Sequence, residues 1–349
     1  MRRPIEYLEW IRGRPAAAEY DLGASDLVRP DPLPRFGDAP DPDPTLEELL
    51  ADVYGVDPAE VLVTAGATHA NYLAMAAARD DGDRVLVERP GYEPLVATPA
   101  SIGHAVDRFE RPPGEDYRLD PDRVADALGP EAGLVVVTDR HNPSGRRADG
   151  DALAGTAAAA READARLLVD EVYAPYAAIA CDGPFGAPSA AGFEGVAVTG
   201  SLTKFWGLGT LRLGWLIADP PFVERAARIM DHNPAVAPVS RSLAARALAD
   251  RDALADRARE RIATNAPRLA EFVADRGDLT GTVRPGCTLA FLRHDADGDA
   301  VAAAADEEGV LVIPGRFFDD PGRFRISVAR DPGTVEGGLA ALGRALDGL

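Results

Sequence analysis

The chain has 349 residues, enough for two domains and a sizeable core. Apolar residues make up 46% of it, which excludes a disordered chain. Acidic residues outnumber basic ones 57 to 37, a formal net charge of −20, so there is no basic excess to neutralise nucleic-acid phosphates.

The acid is spread along the chain, as in DAPDPDP, RDDGD and RHDADGD. Of the 37 basic residues, all but Lys204 are arginine. This combination reads as a solvated surface adapted to high salt, a reading that refolding and activity both peaking at low ionic strength would exclude. Cys181 and Cys287 are too few for a disulfide framework and lack metal-ligand spacing, which implies a reducing, cytoplasmic compartment. The five histidines are scattered too, so no metal site is expected. The start, MRRPIEYLEWIRGRP, lacks the apolar core of a signal peptide, and no apolar run is long enough to span a bilayer.

Residues 21–45, dense in Pro, Asp and Gly, predict an extended connector that does not pack. LEELLADVYG then predicts an amphipathic helix, VLVTAG a short strand and THANYLAMAAARD a helix. The alternation continues with RVLVE, YEPLVATPASIG, HAVDRFE, PDRVADALG, LVVVTD, DALAGTAAAAREA and RLLVD. GVAVTGS and LGWLIA follow as strands with no helix between them, so LGWLIA is expected to run antiparallel. Strands alternating with helices predict βαβ units and a mostly parallel sheet flanked by helices. After residue 240 come long Ala/Arg/Glu helices, then TVRPG, LAFLRHD, VLVIPG and RFRISVA as short strands of a smaller α+β domain. The division is an N-terminal segment over 1–45 that joins the small domain, a large domain over 46–235 and the small domain over 236–349.

In open parallel sheets ligands bind at the carboxyl ends of the strands. There the sequence delivers Gly66-Ala67-Thr68 after VLVTA, Asn142 in HNPSG, Asp170 and Tyr173 after RLLV, and Ser201 and Lys204 after GVAVTG. Taken singly, each has a plainer explanation. A lone lysine is more often a surface group, Asp170 can cap a turn, Asn142 before a proline is a turn former, and Arg212 and Arg325 are two among many arginines. Tyr92 and Tyr173 can be core aromatics, and His141 beside Asn142 is as readily structural as pocket-lining. Convergence on one sheet edge is what the plain explanations leave unaccounted for.

S-x-x-K with Arg at +8 and Gly at +10, preceded by D-x-x-Y and N-P-x-G, resembles the fold-type I pyridoxal-phosphate enzymes, and among them the class I/II aminotransferases. The resemblance runs over residues 20–340 with the motifs in family order. It implies a pyridoxal 5′-phosphate cofactor held as a Schiff base by Lys204, an amine that arginine cannot replace because guanidinium stays protonated. It implies that Asp170 keeps the ring nitrogen protonated, that Tyr173 and Asn142 bond the phenolic oxygen, and that Tyr92 stacks on the ring. The phosphate is expected on the backbone of Gly66, Ala67 and Thr68, with Ser201 and Arg212. Arg325, with Asn142 and the backbone at Gly23, is expected to grip the substrate carboxylate. The implied reaction is transfer of an amino group between an amino acid and a 2-keto acid in a homodimer with interface sites. A C–S or β-lyase, a decarboxylase or a cyclising synthase on the same fold stays open. Where many relatives reach the phosphate with a tyrosine from the neighbouring subunit, this chain carries Phe36.

Overall fold

The computed structural model describes residues 4–27, 44–177 and 179–349. The N-terminal part holds helices α1 (Glu6–Ile11) and α2 (Arg14–Ala17) and strand β1 (Tyr20–Asp21). Then come α3 (Leu46–Tyr54), β2 (Val61–Thr64), α4 (Ala67–Ala77), β3 (Arg84–Arg89), α5 (Glu93–Ser101), β4 (Ala105–Glu110), α6 (Pro121–Ala127) and β5 (Ala132–Thr138). They are followed by α7 (Gly150–Glu162), β6 (Arg166–Asp170), β7 (Val196–Ser201), β8 (Gly214–Ile217) and α8 (Pro220–Met230). The chain closes with α9 (Pro238–Ala249), α10 (Arg251–Ala274), β9 (Leu289–Arg293), α11 (Gly298–Glu307), β10 (Val310–Leu311), β11 (Ile313–Pro314), β12 (Arg323–Ser327) and α12 (Pro332–Asp347).

The central sheet has the order β2-β8-β7-β6-β5-β3-β4. β8 runs antiparallel to both its neighbours, and the other pairings are parallel. Both faces are covered, which is why β5 is buried at every position and reads as an unbroken apolar run. The pleat splits that run between two cores. Leu134 and Val136 join Leu73, Ala74 and Phe222 from α4 and α8. Val135 and Val137 point the other way, to Leu50 of α3, Ala157 and Ala160 of α7, and Leu248 and Ile262 of α9 and α10. α3 starts with a capping box: Glu48 N–H donates to Thr45 Oγ1, and the Glu48 carboxylate accepts from Thr45 N–H.

The C-terminal part carries an antiparallel sheet of order β11-β12-β9, packed on α11 and α12 through Val301, Ala305, Leu339 and Leu342. β1 pairs in parallel with β10, which fastens the N-terminal residues to this part. No helix among the described residues is long and apolar enough to cross a membrane.

Three sequence expectations change. TVRPG forms no strand; only Thr280, just before it, bridges to Arg293. VLVIPG breaks into two separately paired pieces, β10 and β11. The connector expected over 21–45 is a packed element over 21–27, where Asp21, Leu22, Gly23, Ser25 and Leu27 are buried. Turn-forming composition reports backbone shape and not exposure. Here the backbone is satisfied in place: Gly23 and Ala24 N–H donate to Asp21 Oδ1, Leu22 N–H to Leu311 O, and Leu27 N–H to Lys204 O. Phe36 lies outside the described residues.

Candidate active site

Every strand that points the same way in the central sheet ends at one edge, and the polar residues sit just past those ends. β2 ends in the Gly66 turn that opens α4, β5 in the loop bearing Asn142, β6 at Asp170 and β7 at Ser201, three residues before Lys204. A small cavity opens there. Its lining includes Lys204, Asp170, Tyr173, Asn142, Tyr92 and Arg325.

The Lys204 ammonium donates to Ser25 Oγ at 3.2 Å, and Ser25 Oγ lies 2.6 Å from Tyr173 Oη. Burial works against the charge on Lys204, but the facing Tyr173, Asp26 and Tyr7 outweigh it and raise its pKa. Asp170 is buried, and burial raises its pKa against the bonds that favour the anion. Those bonds come from Asn71 Nδ2, which donates to Oδ2 at 2.8 Å, and Val172 N–H, which donates to Oδ1 at 3.1 Å. Thr199 Oγ1 donates in turn to Asn71 Oδ1 at 2.7 Å, completing the amide orientation that an acceptor-only carboxylate selects.

Arg325 is buried, and its fork is held by two acceptors. Nη1 donates to Asn142 Oδ1 and Nη2 to the Gly23 carbonyl, both at 2.9 Å. The Asn142 loop is anchored from behind: Asn142 N–H donates to Thr138 Oγ1, which donates to Glu88 Oε1. Glu88 Oε2 accepts from the fully buried Arg111 at 2.6 Å.

At the far end of the sheet edge, Gly66 has φ +87° at the start of α4, a conformation that favours glycine. The Arg212 guanidinium lies 3.4 Å from where a Cβ on Gly66 would stand, and it donates to Ala65 O. The first N–H groups of α4, those of Ala67 and Thr68 among them, have no carbonyl within the helix to bond. Ser201 is buried beside this turn in the sheet and accepts from Thr203 N–H. A helix N-terminus, a positive φ glycine and an arginine make an anion cradle. With the amine, carboxylate and phenol of the cavity, the donor set fits pyridoxal phosphate.

The structure therefore brings Lys204, Asp170, Tyr173, Tyr92, Asn142, Arg325 and Gly23 together, with Gly66, Ala67, Thr68, Ser201 and Arg212 at the adjoining turn. His141 is a structural residue: it is fully buried, with Nε2 on the Pro90 carbonyl and Nδ1 on Ser144 Oγ. Sequence reasoning passed over Tyr7, Ser25, Asn71 and Thr199. Tyr7 comes from α1 and meets Tyr92 and Phe317 edge-on at 5.4 and 5.5 Å. The proximity of Ser25 to Gly23 in DLGAS was the available signal for one of them, and the spacing of Asn71 on α4 gave none.

The chain matches the family model for aminotransferase class I and II over residues 35–342. It belongs to that family. Family members use pyridoxal phosphate, and the chain is a pyridoxal-phosphate-dependent enzyme of this class. It is 30% identical over 296 residues to histidinol-phosphate aminotransferase of Halorubrum lacusprofundi, covering 83% of this chain and 76% of that one. It is 29% identical over 291 residues to capreomycidine synthase of Streptomyces vinaceus, covering 82% and 74%. A pyridoxal-phosphate-dependent aminotransferase from Streptococcus suis superposes with a TM-score of 0.87, over 99% of this chain and 98% of that one, at 22% identity.

Behind the site lies another buried carboxylate, Glu171, which accepts from Ala190 N–H and Ser189 Oγ at 2.7 Å. Burial pushes its pKa up to about 8. A folded-state pKa above the unfolded value means stability is full below about pH 4.3 and is lost as pH rises toward about 8. The urea midpoint of the cofactor-free protein should fall across that window and level off above it. Glu171→Gln should flatten the slope, a difference on the order of a few kcal/mol at pH 8.

Proposed function

We propose that this enzyme moves an amino group from an amino acid to a 2-keto acid, with Lys204 as the amine that carries the cofactor. The observation that carries the reading is the meeting of the Lys204 amine, the Asp170 carboxylate and the Arg325 fork in one cavity. Pyridoxal phosphate, when bound, supplies a carbonyl that condenses with amines and a ring that takes up the electrons left on a substrate carbon.

The chain's own residues divide the rest of the work. Arg325 binds the substrate carboxylate through its planar fork, and Asn142 and Gly23 hold the guanidinium in plane beforehand. Asp170, whose anion accepts from Asn71 and Val172, would hold a proton on the ring nitrogen of the bound cofactor. Lys204, once its amine is free, would take the proton from the substrate carbon and deliver it to the cofactor's carbonyl carbon on the other side of the amino nitrogen. Tyr173 and Asn142 would donate to the phenolic oxygen of the bound cofactor, and Tyr92 would pack on its ring. The Gly66-Ala67-Thr68 turn, Ser201 and Arg212 anchor the phosphate.

The reading includes the division at 45/46 and 235/236, with α9 and α10 bridging the two parts, and a cytoplasmic homodimer with sites at the interface. Resemblance to the Halorubrum aminotransferase supports a transaminase, and the capreomycidine synthase of Streptomyces vinaceus, matched about as well, keeps a synthase on the same fold as the second reading. The test is a panel of amino donors with and without a keto acid. A transaminase needs the acceptor for turnover. Ammonia or thiol released from the donor alone would move the assignment to a lyase.

A further inference from the structure

We propose that Ser25 is a further catalytic residue, a dock for the Lys204 amine whenever that amine is not bonded to the cofactor. The inference rests on the reading of Lys204 as the cofactor-bearing amine. Ser25 is 2% exposed, and its hydroxyl has two partners in the cavity, Lys204 Nζ at 3.2 Å and Tyr173 Oη at 2.6 Å. A hydroxyl has one proton to give and two lone pairs to receive, so Oγ can accept from the ammonium while sharing a proton with Tyr173 Oη in either direction.

The position of Oγ is fixed from several sides. Tyr176 Oη donates to the Ser25 carbonyl at 2.7 Å, and Leu27 N–H donates to the Lys204 carbonyl at 2.9 Å. Two residues upstream, the Gly23 carbonyl accepts from Arg325, and Asp21 is paired with Arg330 at 2.7 Å. The dock is therefore tied to the base of Lys204 on one side and to the carboxylate-binding arginine on the other.

The chemistry requires such a place. With cofactor bound, Lys204 would be released when substrate takes its place, and a flexible four-carbon amine would then have to stay within reach of the substrate carbon. Holding it at one oxygen converts a search into a fixed approach. The same contact sets the amine's charge balance. Tyr173, Asp26 and Tyr7 face it with charge-raising effect, Arg325 opposes them, and Asp170 feels its field. Ser25 Oγ adds the direct acceptor for the ammonium.

Because Lys204 is the sole lysine, its amine can be titrated in the intact chain by competitive acetylation with acetic anhydride, read by mass spectrometry of its peptide. In cofactor-free protein, Ser25→Ala should lower the labelling midpoint by about one pH unit, because a charged hydrogen bond is lost. Ser25→Thr, which keeps the hydroxyl, should restore it. In the loaded enzyme, Ser25→Ala should lower kcat about tenfold with KM within about twofold. An unchanged midpoint in folded Ser25→Ala, or equal shifts for Ala and Thr, overturns the proposal. If Ala does not fold, Ser25→Cys takes its place with the same expected shift. The titration needs no cofactor, so it fails or succeeds apart from the donor panel that tests the transaminase reading.

Discussion

Lys204→Ala is expected to cut amino-group transfer by at least about ten-thousand-fold while leaving the protein folded. The second half follows from the surroundings. The Lys204 backbone carbonyl keeps its bonds from Leu27 and Gly207, and among the described residues the side chain's hydrogen bond goes to Ser25. The first half follows from composition, since no second lysine stands anywhere in the chain to rescue the variant. Lys204→Arg should be as inactive, because guanidinium does not surrender its proton. Borohydride reduction of the cofactor-loaded wild type should label one peptide, that of Lys204, and neither variant should be labelled. Label on another peptide, or activity in either variant, would refute the assignment of this amine.

Asp170→Asn should lower activity about a thousand-fold and at the same time stabilise the cofactor-free protein near neutral pH. Asparagine carries no charge to hold a ring proton. It also carries no charge to bury. Asp170 has a raised pKa in the folded protein, with burial as the leading cause. Stability from such a group is full below its unfolded pKa and is lost as pH rises through the folded value. The wild type bears this cost at pH 7 and the variant does not. The surroundings can accept the change: Asn71 can turn its amide over, donate to Thr199 Oγ1 and offer its oxygen to the introduced amide. Thermal midpoints of the two cofactor-free proteins should therefore differ at pH 7 and converge near pH 4. A variant less stable at neutral pH would show that the network cannot invert.

What the sequence made legible was whatever coincides with a strand end. Asp170, Asn142, Ser201 and Lys204 each follow a short apolar run in a strand-helix alternation, which puts them on one edge of a parallel sheet. LGWLIA was readable as antiparallel because too few residues separate it from GVAVTGS for a crossover helix, and β8 is so paired. Ser25 and Tyr7 were hidden because the N-terminal residues have no periodicity to read, and their burial depends on contacts with residues far along the chain. Asn71 and Thr199 were hidden differently. Both belong to regular elements whose apolar neighbours explain the pattern without them, and only the fold shows their polar atoms meeting at Asp170. TVRPG misled because Thr and Val favour strands locally, while the Pro-Gly turn inside the segment ends any ladder.

The strip from Asp21 to Leu27 has a consequence for how the enzyme comes into being. Its carbonyl at Gly23 meets Arg325 across a separation of 302 positions, and its Leu22 carbonyl accepts from Ser327. During synthesis the strip leaves the ribosome long before these partners. A nascent chain that has already laid down the central sheet, whose last strand ends at Ile217, still lacks these residues, which hold the strip in place. The guanidinium that we propose binds the substrate carboxylate joins the Lys204 cavity only when β12 folds back onto the strip. A chain ending before residue 325 would carry Lys204 without that guanidinium.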